Sequence, residues 1–264
     1  MDHKSSPATW MKFSASLTPL LFFSVVVAVG RSGEPVDAAN RLTDDERTGG
    51  WQMLWDGKTL AGWHGTDASV PVAERWKAVD GVLSVVAGGP GATRKHLVTA
   101  REYAAFELAF EFKLSAGANS GVKYLVTIEK NGDRLVPIGP EYQILDDDRH
   151  PDAKKGENGN RTLGSFYDVI ARRTRPAPPG GGPLVNTWQQ GRIVVRPDGT
   201  VEHWLNGEKI VAYVRGSPDF KARVARSAYA KFPGFGEVST GLILLQDHGD
   251  AVAFRSIKLR LLHD

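Results

Sequence analysis

Along much of the chain, large apolar residues alternate with polar or small ones, the period of a strand that keeps one face on a core. In Phe106-Glu107-Leu108-Ala109-Phe110-Glu111-Phe112-Lys113-Leu114 the apolar set lines one side of a strand, whereas a helix would scatter it around its circumference. The same alternation predicts strands at residues 76–79, 82–86, 121–128, 141–145, 191–196, 201–205, 208–214, 241–246 and 251–261. Asp80-Gly81, Asn131-Gly132, Pro197-Asp198-Gly199 and Asn206-Gly207 supply turn chemistry between them. Short strands punctuated in this way predict an all-β protein, an antiparallel β-sandwich folding as a single domain. Helical periodicity is confined to short pieces such as residues 218–225.

The amino terminus follows another pattern. Lys4 and Lys12 precede an apolar run at residues 20–29, broken only by Ser24 and followed by small and polar residues, the layout of a secretory signal peptide. The run is too short to span a membrane. Cleavage after Gly30 and after Ala38 both suit the small residues there. The chain therefore divides into a signal peptide and the start of a linker (1–38), a linker (39–49) and the sandwich domain (50–264). The polar stretch at 31–48 reads as mobile. A periplasmic or secreted protein with no membrane span after leader removal is expected.

Composition narrows the chemistry. There is no cysteine, so neither a disulfide, a thiol nucleophile nor a cysteine-linked lipid is available. The formal net charge is +3, with basic and acidic residues intermixed, so no nucleic-acid footprint is present. The glycine clusters at 88–91 and 180–182 lack the strand-loop-helix setting of a phosphate loop, which argues against a nucleotide cofactor. No G-x-S-x-G elbow occurs. Seven tryptophans and six tyrosines suit cores and sugar-stacking surfaces alike.

The polar residues within strands are the candidates for chemistry. Glu141-Tyr142-Gln143-Ile144-Leu145-Asp146 puts Glu141 and Gln143 on one strand face and Tyr142 and Ile144 on the other. Gln246-Asp247-His248 closes an apolar strand where it opens into a loop. Lys123 follows Asn119 and precedes Tyr124 in a third strand, and His203 lies in a fourth. Each alone fits an ordinary solvated sheet face or a hydrogen-bonded structural histidine. Gathered on one sheet, they would form a concave site with acid, base and aromatic groups. The insert at 146–161 concentrates oxygen and nitrogen ligands, so Asp146 and His150 are candidate ligands for a divalent metal ion. Turn and helix-cap roles suit the same residues. The Arg-, Pro- and Gly-rich stretch at 172–183 is expected to be a mobile lid or rim.

Taken in order, Leu54-Trp55-Asp56-Gly57-Lys58-Thr59-Leu60-Ala61-Gly62-Trp63, Asn119-Ser120-Gly121, Glu141 to Asp146, Leu205-Asn206-Gly207, Leu244-Leu245-Gln246-Asp247-His248-Gly249 and Phe254-Arg255-Ser256-Ile257-Lys258 resemble the 3-keto-disaccharide hydrolase family. Many members carry Asn where this chain has Ser256. The resemblance implies a concanavalin-like jelly roll whose concave sheet holds a sugar already oxidised to a ketone at C3. It implies Glu141, Gln143 and His248 as central, with Lys123, His203, Gln246 and Asp247 around them, Tyr124 and Asn119 as further substrate contacts, and His248 or Glu141 as the base. Lys123, or a metal near Asp146 and His150, would then stabilise an enolate. The expected partner is a small carbohydrate. Competing readings are a retaining glycosidase, which needs two carboxylates about 5 Å apart, and a lectin-like binding module, which needs no base.

Overall fold

The computed structural model of the chain describes Met1 and residues 39–88 and 93–263. The signal-peptide reading falls outside these residues. The strands, in chain order, are β1 (Gln52–Met53), β2 (Trp63–Gly65), β3 (Trp76–Val79), β4 (Val82–Val85), β5 (Leu97–Thr99), β6 (Phe106–Leu114) and β7 (Asn119–Asn131). They continue as β8 (Arg134–Ile138), β9 (Glu141–Leu145), β10 (Gln189–Val195), β11 (Thr200–Leu205), β12 (Glu208–Val214), β13 (Leu242–Leu245) and β14 (Val252–Leu261). Among the described residues there are also two short α-helices, α1 (Asp44–Thr48) and α2 (Pro218–Val224), and a 3-10 turn at Pro151–Lys154.

Among the described residues the strands form two antiparallel sheets, the two-layer sandwich that half-apolar strands must build to bury one face each. One has the order β12-β11-β10-β6-β14-β4-β3, with β1 on β14; the other has β2-β5-β13-β7-β8, with β9 on β7. Phe106, Leu108, Phe110, Phe112 and Leu114 of β6 point inward against Val122, Tyr124, Tyr142, Ile144, Ile243 and Leu245 of the smaller sheet. Fully burying one such side chain contributes about 1.5–3 kcal/mol, so the continuous cluster, with no disulfide to assist it, carries the stability. A bulge in β7 turns both Tyr124 and Leu125 inward: Leu125 has φ 50° and a Cβ on facing Gly241 would lie 2.4 Å from the Leu125 carbonyl carbon.

The structure revises several expectations. Residues 39–49 are not a free linker. Thr43 and Glu46 cap α1 reciprocally, and Asn40 bridges the domain by donating to the Gly81 carbonyl and accepting from the Ser256 N–H. Ser256 itself has φ 51°, a left-handed conformation that asparagine tolerates better than serine. Nor is 172–183 a free lid. Arg172 pairs with Asp147 at 2.8 Å, Arg175 with Asp148 at 3.1 Å, and Asn206 donates to the Ala177 carbonyl. Trp55, Trp63 and Trp76 are core residues, and Trp51, Trp188 and Trp204 lie beneath arginines on the outer face of the larger sheet. Among the described residues, therefore, no tryptophan lies on the outward face of the sheet that carries Glu141.

His203 and Tyr124, expected in the sugar site, belong instead to the core between the sheets. The Gly164 carbonyl lies 3.0 Å from His203 Nδ1 and can only accept, so Nδ1 carries the hydrogen and Nε2 accepts from the Tyr124 hydroxyl at 2.8 Å. The Tyr213 hydroxyl donates to Tyr124 in turn, at 2.8 Å. Burial lowers the His203 pKa to about 4, and burial together with Lys123 lowers that of His96 to about 4. The folded state thus binds fewer protons than the unfolded chain between about pH 6.5 and 4, so stability is full above that window and lost as pH falls through it. Acidification from pH 7 to 5 is expected to cost roughly 2 kcal/mol per histidine, read as a falling thermal midpoint. A midpoint that is flat over this range would contradict the buried neutral state of both rings.

Candidate active site

Strand register builds the site. Leu244 pairs with Val98 on one side and Lys123 on the other, and Lys123 pairs with Glu141, so one outward row reads Val98, Leu244, Lys123, Glu141. One pleat along lies a second row. His96 precedes β5 and Gln246 follows β13, one step beyond the paired Leu97 and Leu245; the Gln246 N–H donates to Gly121 at 2.9 Å, and Gly121 pairs with Gln143. The first row begins apolar and ends in an ion pair; the second is polar but for its glycine.

Glu141 occupies the centre and is 4% exposed. Its Oε2 lies 3.3 Å from Lys123 Nζ, and a Cβ on Gly121 would come 2.5 Å from its Oε1, so the carboxylate lies over the glycine. Burial raises the Glu141 pKa; Lys123 and the Gln246 amide offset this in part, and Asp152 adds to it. The result is a carboxylate more basic than usual beside an ammonium. Oε1 of Gln246 and Oδ1 of Asn119 are buried with no hydrogen-bond partner among the described residues, two acceptors left over at the floor.

The insert after β9 forms a wall. The Tyr167 N–H donates to the Glu141 carbonyl at 3.1 Å and its hydroxyl to Asp152 at 3.0 Å, while Arg161 Nη1 reaches Asp152 at 3.2 Å. Tyr229 meets Tyr167 edge-to-face at 6.5 Å between ring centres. His150 caps the 3-10 turn Pro151–Lys154 through Nδ1, which accepts the Asp152 N–H, and its ring faces that of His248 at 6.3 Å. His248 is half-buried; burial first and the charge of Arg94 second pull its pKa below the ordinary histidine value, which leaves it neutral at pH 7.

Strand register places Glu141, Gln143, Lys123 and Gln246 on one face, and His248 lies in the loop that follows Gln246, with its ring near that of His150. Asp247 does not face outward with them. Its buried carboxylate is held by Arg75 at 2.8 and 2.9 Å and by the N–H groups of Lys95 and Gly249, a loop anchor; burial raises its pKa, and these donors outweigh it and leave the pKa low. Asn119 is buried at the end of β7, where its N–H donates to Asp250. Asp146 and His150 do not make a metal pair, since the Asp146 carboxylate is turned to the N–H groups of Gly117 and Asp148 and to Arg149. Among the described residues no cluster of three or more His, Asp or Glu side chains converges on one point. His96, Tyr167 and Tyr229 are the additions. His96 shares strand parity with Val98, but a strand of three residues offers too little alternation to show it.

The sequence profile of the 3-keto-alpha-glucoside-1,2-lyase-like domain matches residues 50–260, the span that holds every residue of this site. The chain belongs to this family. It is 36% identical over 250 residues to a 3-keto-disaccharide hydrolase of Bacteroides thetaiotaomicron, an alignment covering 86% of this chain and 80% of that protein. A solved structure of a candidate glycosyl hydrolase from Parabacteroides distasonis superposes with a TM-score of 0.72 at 30% identity, over 85% of this chain and all of that one. A second from the same organism gives 0.61 at 26% identity, over 80% and 99%. The jelly-roll sandwich of this lyase-like family is therefore the fold of the chain, and the rows on its smaller sheet lie within the shared domain.

Proposed function

We propose that the protein is an exported enzyme that cleaves 3-keto-glycosides by elimination across C1 and C2, followed by addition of water to give net hydrolysis. The observation that carries this is the Glu141–Lys123 pair at 3.3 Å on a buried sheet face. A ketone at C3 acidifies the C2 proton, and the oxygen that receives the charge sits on the neighbouring carbon. Base and electrophile must then be neighbours too, as Glu141 and Lys123 are. Glu141 takes the C2 proton, the electron pair moves onto the C3 oxygen beside Lys123, and its return expels the C1 oxygen, which leaves with a proton. Water then adds at C1 of the unsaturated ketone and a proton returns to C2. His248, neutral and at the mouth of the site, suits the removal of that water's proton. A retaining glycosidase fits less well, because the charged partner that Glu141 contacts is an ammonium and not a second carboxylate.

Incubation with a 3-keto-glucoside and with its unoxidised parent, with and without chelator, tests the reading. Cleavage of the keto-sugar alone is expected, with transient unsaturated product. Cleavage of the parent would make the protein a plain glycosidase, binding without cleavage a lectin, and loss of activity with chelator would restore a metal to the site. Gly121→Ala is expected to push the Glu141 carboxylate aside and lower turnover on the order of 100-fold, with substrate affinity largely kept. Export would appear as a mature terminus after residue 30 or 38 in the periplasm or medium; an intact Met1 in the cytosol would refute it.

A further inference from the structure

The protonation pattern of the His96 ring is fixed by the backbone. Its Nδ1 lies 3.2 Å from the Asp247 N–H, a group that can only donate, so Nδ1 carries no hydrogen and the neutral ring has its hydrogen on Nε2. Asp247 is itself immobile. Its carboxylate takes two hydrogen bonds from the Arg75 guanidinium and one each from Lys95 and Gly249. A second proton on the ring would set Nδ1–H against the Asp247 N–H, and the charged groups around it, Lys123 and Arg94 with His248 opposed by Asp247, tilt the same way. Such a ring cannot shuttle protons near neutrality. It can donate one hydrogen bond, and it stands in the row of Gln246, Gly121 and Gln143, beside the row that carries Lys123 and Glu141.

We propose that His96 Nε2–H donates a hydrogen bond to the C3 oxygen of the keto-sugar and shares with Lys123 the charge that develops there. The assignment rests on the elimination reading above. No bond to His96 forms or breaks: the C2–H bond breaks, its proton goes to Glu141, its electron pair goes to the C3 oxygen, and the two donors hold that oxygen until the pair returns and the C1–O bond breaks. A neutral donor fixed in advance suits the task, because it stabilises the enolate without quenching it by proton transfer.

Three measurements on the full chain test this. Nitrogen-15 shifts of the His96 ring should report the Nε2–H tautomer from pH 5 to 9. His96→Gln, which keeps an N–H donor, should hold turnover of a 3-keto-glucoside within about tenfold, whereas His96→Leu should lose on the order of 100- to 1,000-fold in kcat with little change in KM. Exchange of the C2 hydrogen for deuterium should fall in parallel. An Nδ1–H tautomer, a ring titrating near pH 6.5, a His96→Leu enzyme within about threefold of the parent, or a loss confined to KM would each overturn the proposal. Should His96→Leu not fold, the tautomer of the unaltered protein and the His96→Gln kinetics still decide. If the unaltered protein neither exchanges nor cleaves the keto-sugar, the elimination reading falls and the C3 assignment with it. An active parent beside an unaffected His96→Leu overturns the role of His96 alone.

Discussion

Glu141→Gln is expected to lower turnover of a 3-keto-glucoside by on the order of 100- to 10,000-fold while the thermal midpoint stays within a few degrees of the unaltered protein. The amide keeps the shape over Gly121 and removes only the base. Two stability effects oppose each other. Burial of the carboxylate, the larger cause of its raised pKa, ceases to cost anything, and the Lys123 ammonium, 13% exposed in its side chain, loses its partner. The pH profile adds a second reading. With the Glu141 pKa raised, the acid limb of kcat/KM for the unaltered enzyme should lie above the ordinary carboxylate value, rate being lost as pH falls and Glu141 takes up a proton. That limb should vanish from whatever rate the Gln variant retains. His248 is the rival base. Should Glu141→Gln keep near-normal turnover while His248→Ala abolishes it, the base is His248.

How much of this was legible in the sequence follows from how far each signal reaches. Strands with long alternation were readable almost to the residue: β6, β9 and β12 have the bounds that period two predicts, and Glu141 with Gln143 facing away from Tyr142 needs nothing more. Parity within one strand does not say which sheet the strand joins. His203 alternates in β11 much as Lys123 does in β7, yet β11 lies in the larger sheet and sends His203 inward to Tyr124. The bulge at Leu125 likewise depends on a close approach to Gly241 that no local pattern records. Short elements were lost for want of period, β5 among them and His96 with it. The apparent linker was misread for a related reason: polar residues at 39–49 look unpartnered until Gly81 and Ser256, far away in sequence, supply bonds to Asn40.

Asp146 and Asp247 make the same point about carboxylates. Both are acidic residues at strand ends, where a site was expected, and both are consumed by backbone N–H groups and an arginine. An aspartate at the end of a strand can accept from the loop that follows it, and the sequence cannot distinguish that from an aspartate aimed at a substrate. Glu141 differs because Gly121, diagonal to it across the ladder, leaves the carboxylate room to lie on the sheet, and because Lys123, its direct partner, precedes the β7 bulge and so faces outward.

Arg75→Met is expected to remove about 3–5 kcal/mol of stability, a large share of the roughly 5–15 kcal/mol a domain has, and to lower the thermal midpoint by roughly 10 °C. Arg75 is 10% exposed in its side chain and Asp247 fully buried, so the variant leaves a carboxylate in the interior with only the Lys95 and Gly249 N–H groups as donors. The sign with pH separates this from simple loss of packing. In the unaltered protein the Asp247 pKa is held low, so its contribution is present above the unfolded carboxylate value and lost as pH falls through the folded one. Without Arg75 the pKa of Asp247 rises, and protonation then relieves the variant first. The gap between the two proteins should therefore narrow below about pH 4. Loosening Asp247 also frees its N–H from His96, so at temperatures where the variant is folded its nitrogen-15 shifts should show a mixture of ring tautomers and its kcat should fall. Denaturant unfolding at pH 7 provides the decisive number: a difference under about 1 kcal/mol would mean that the backbone donors alone hold Asp247, and that Arg75 is not what fixes the strand end on which His96 depends.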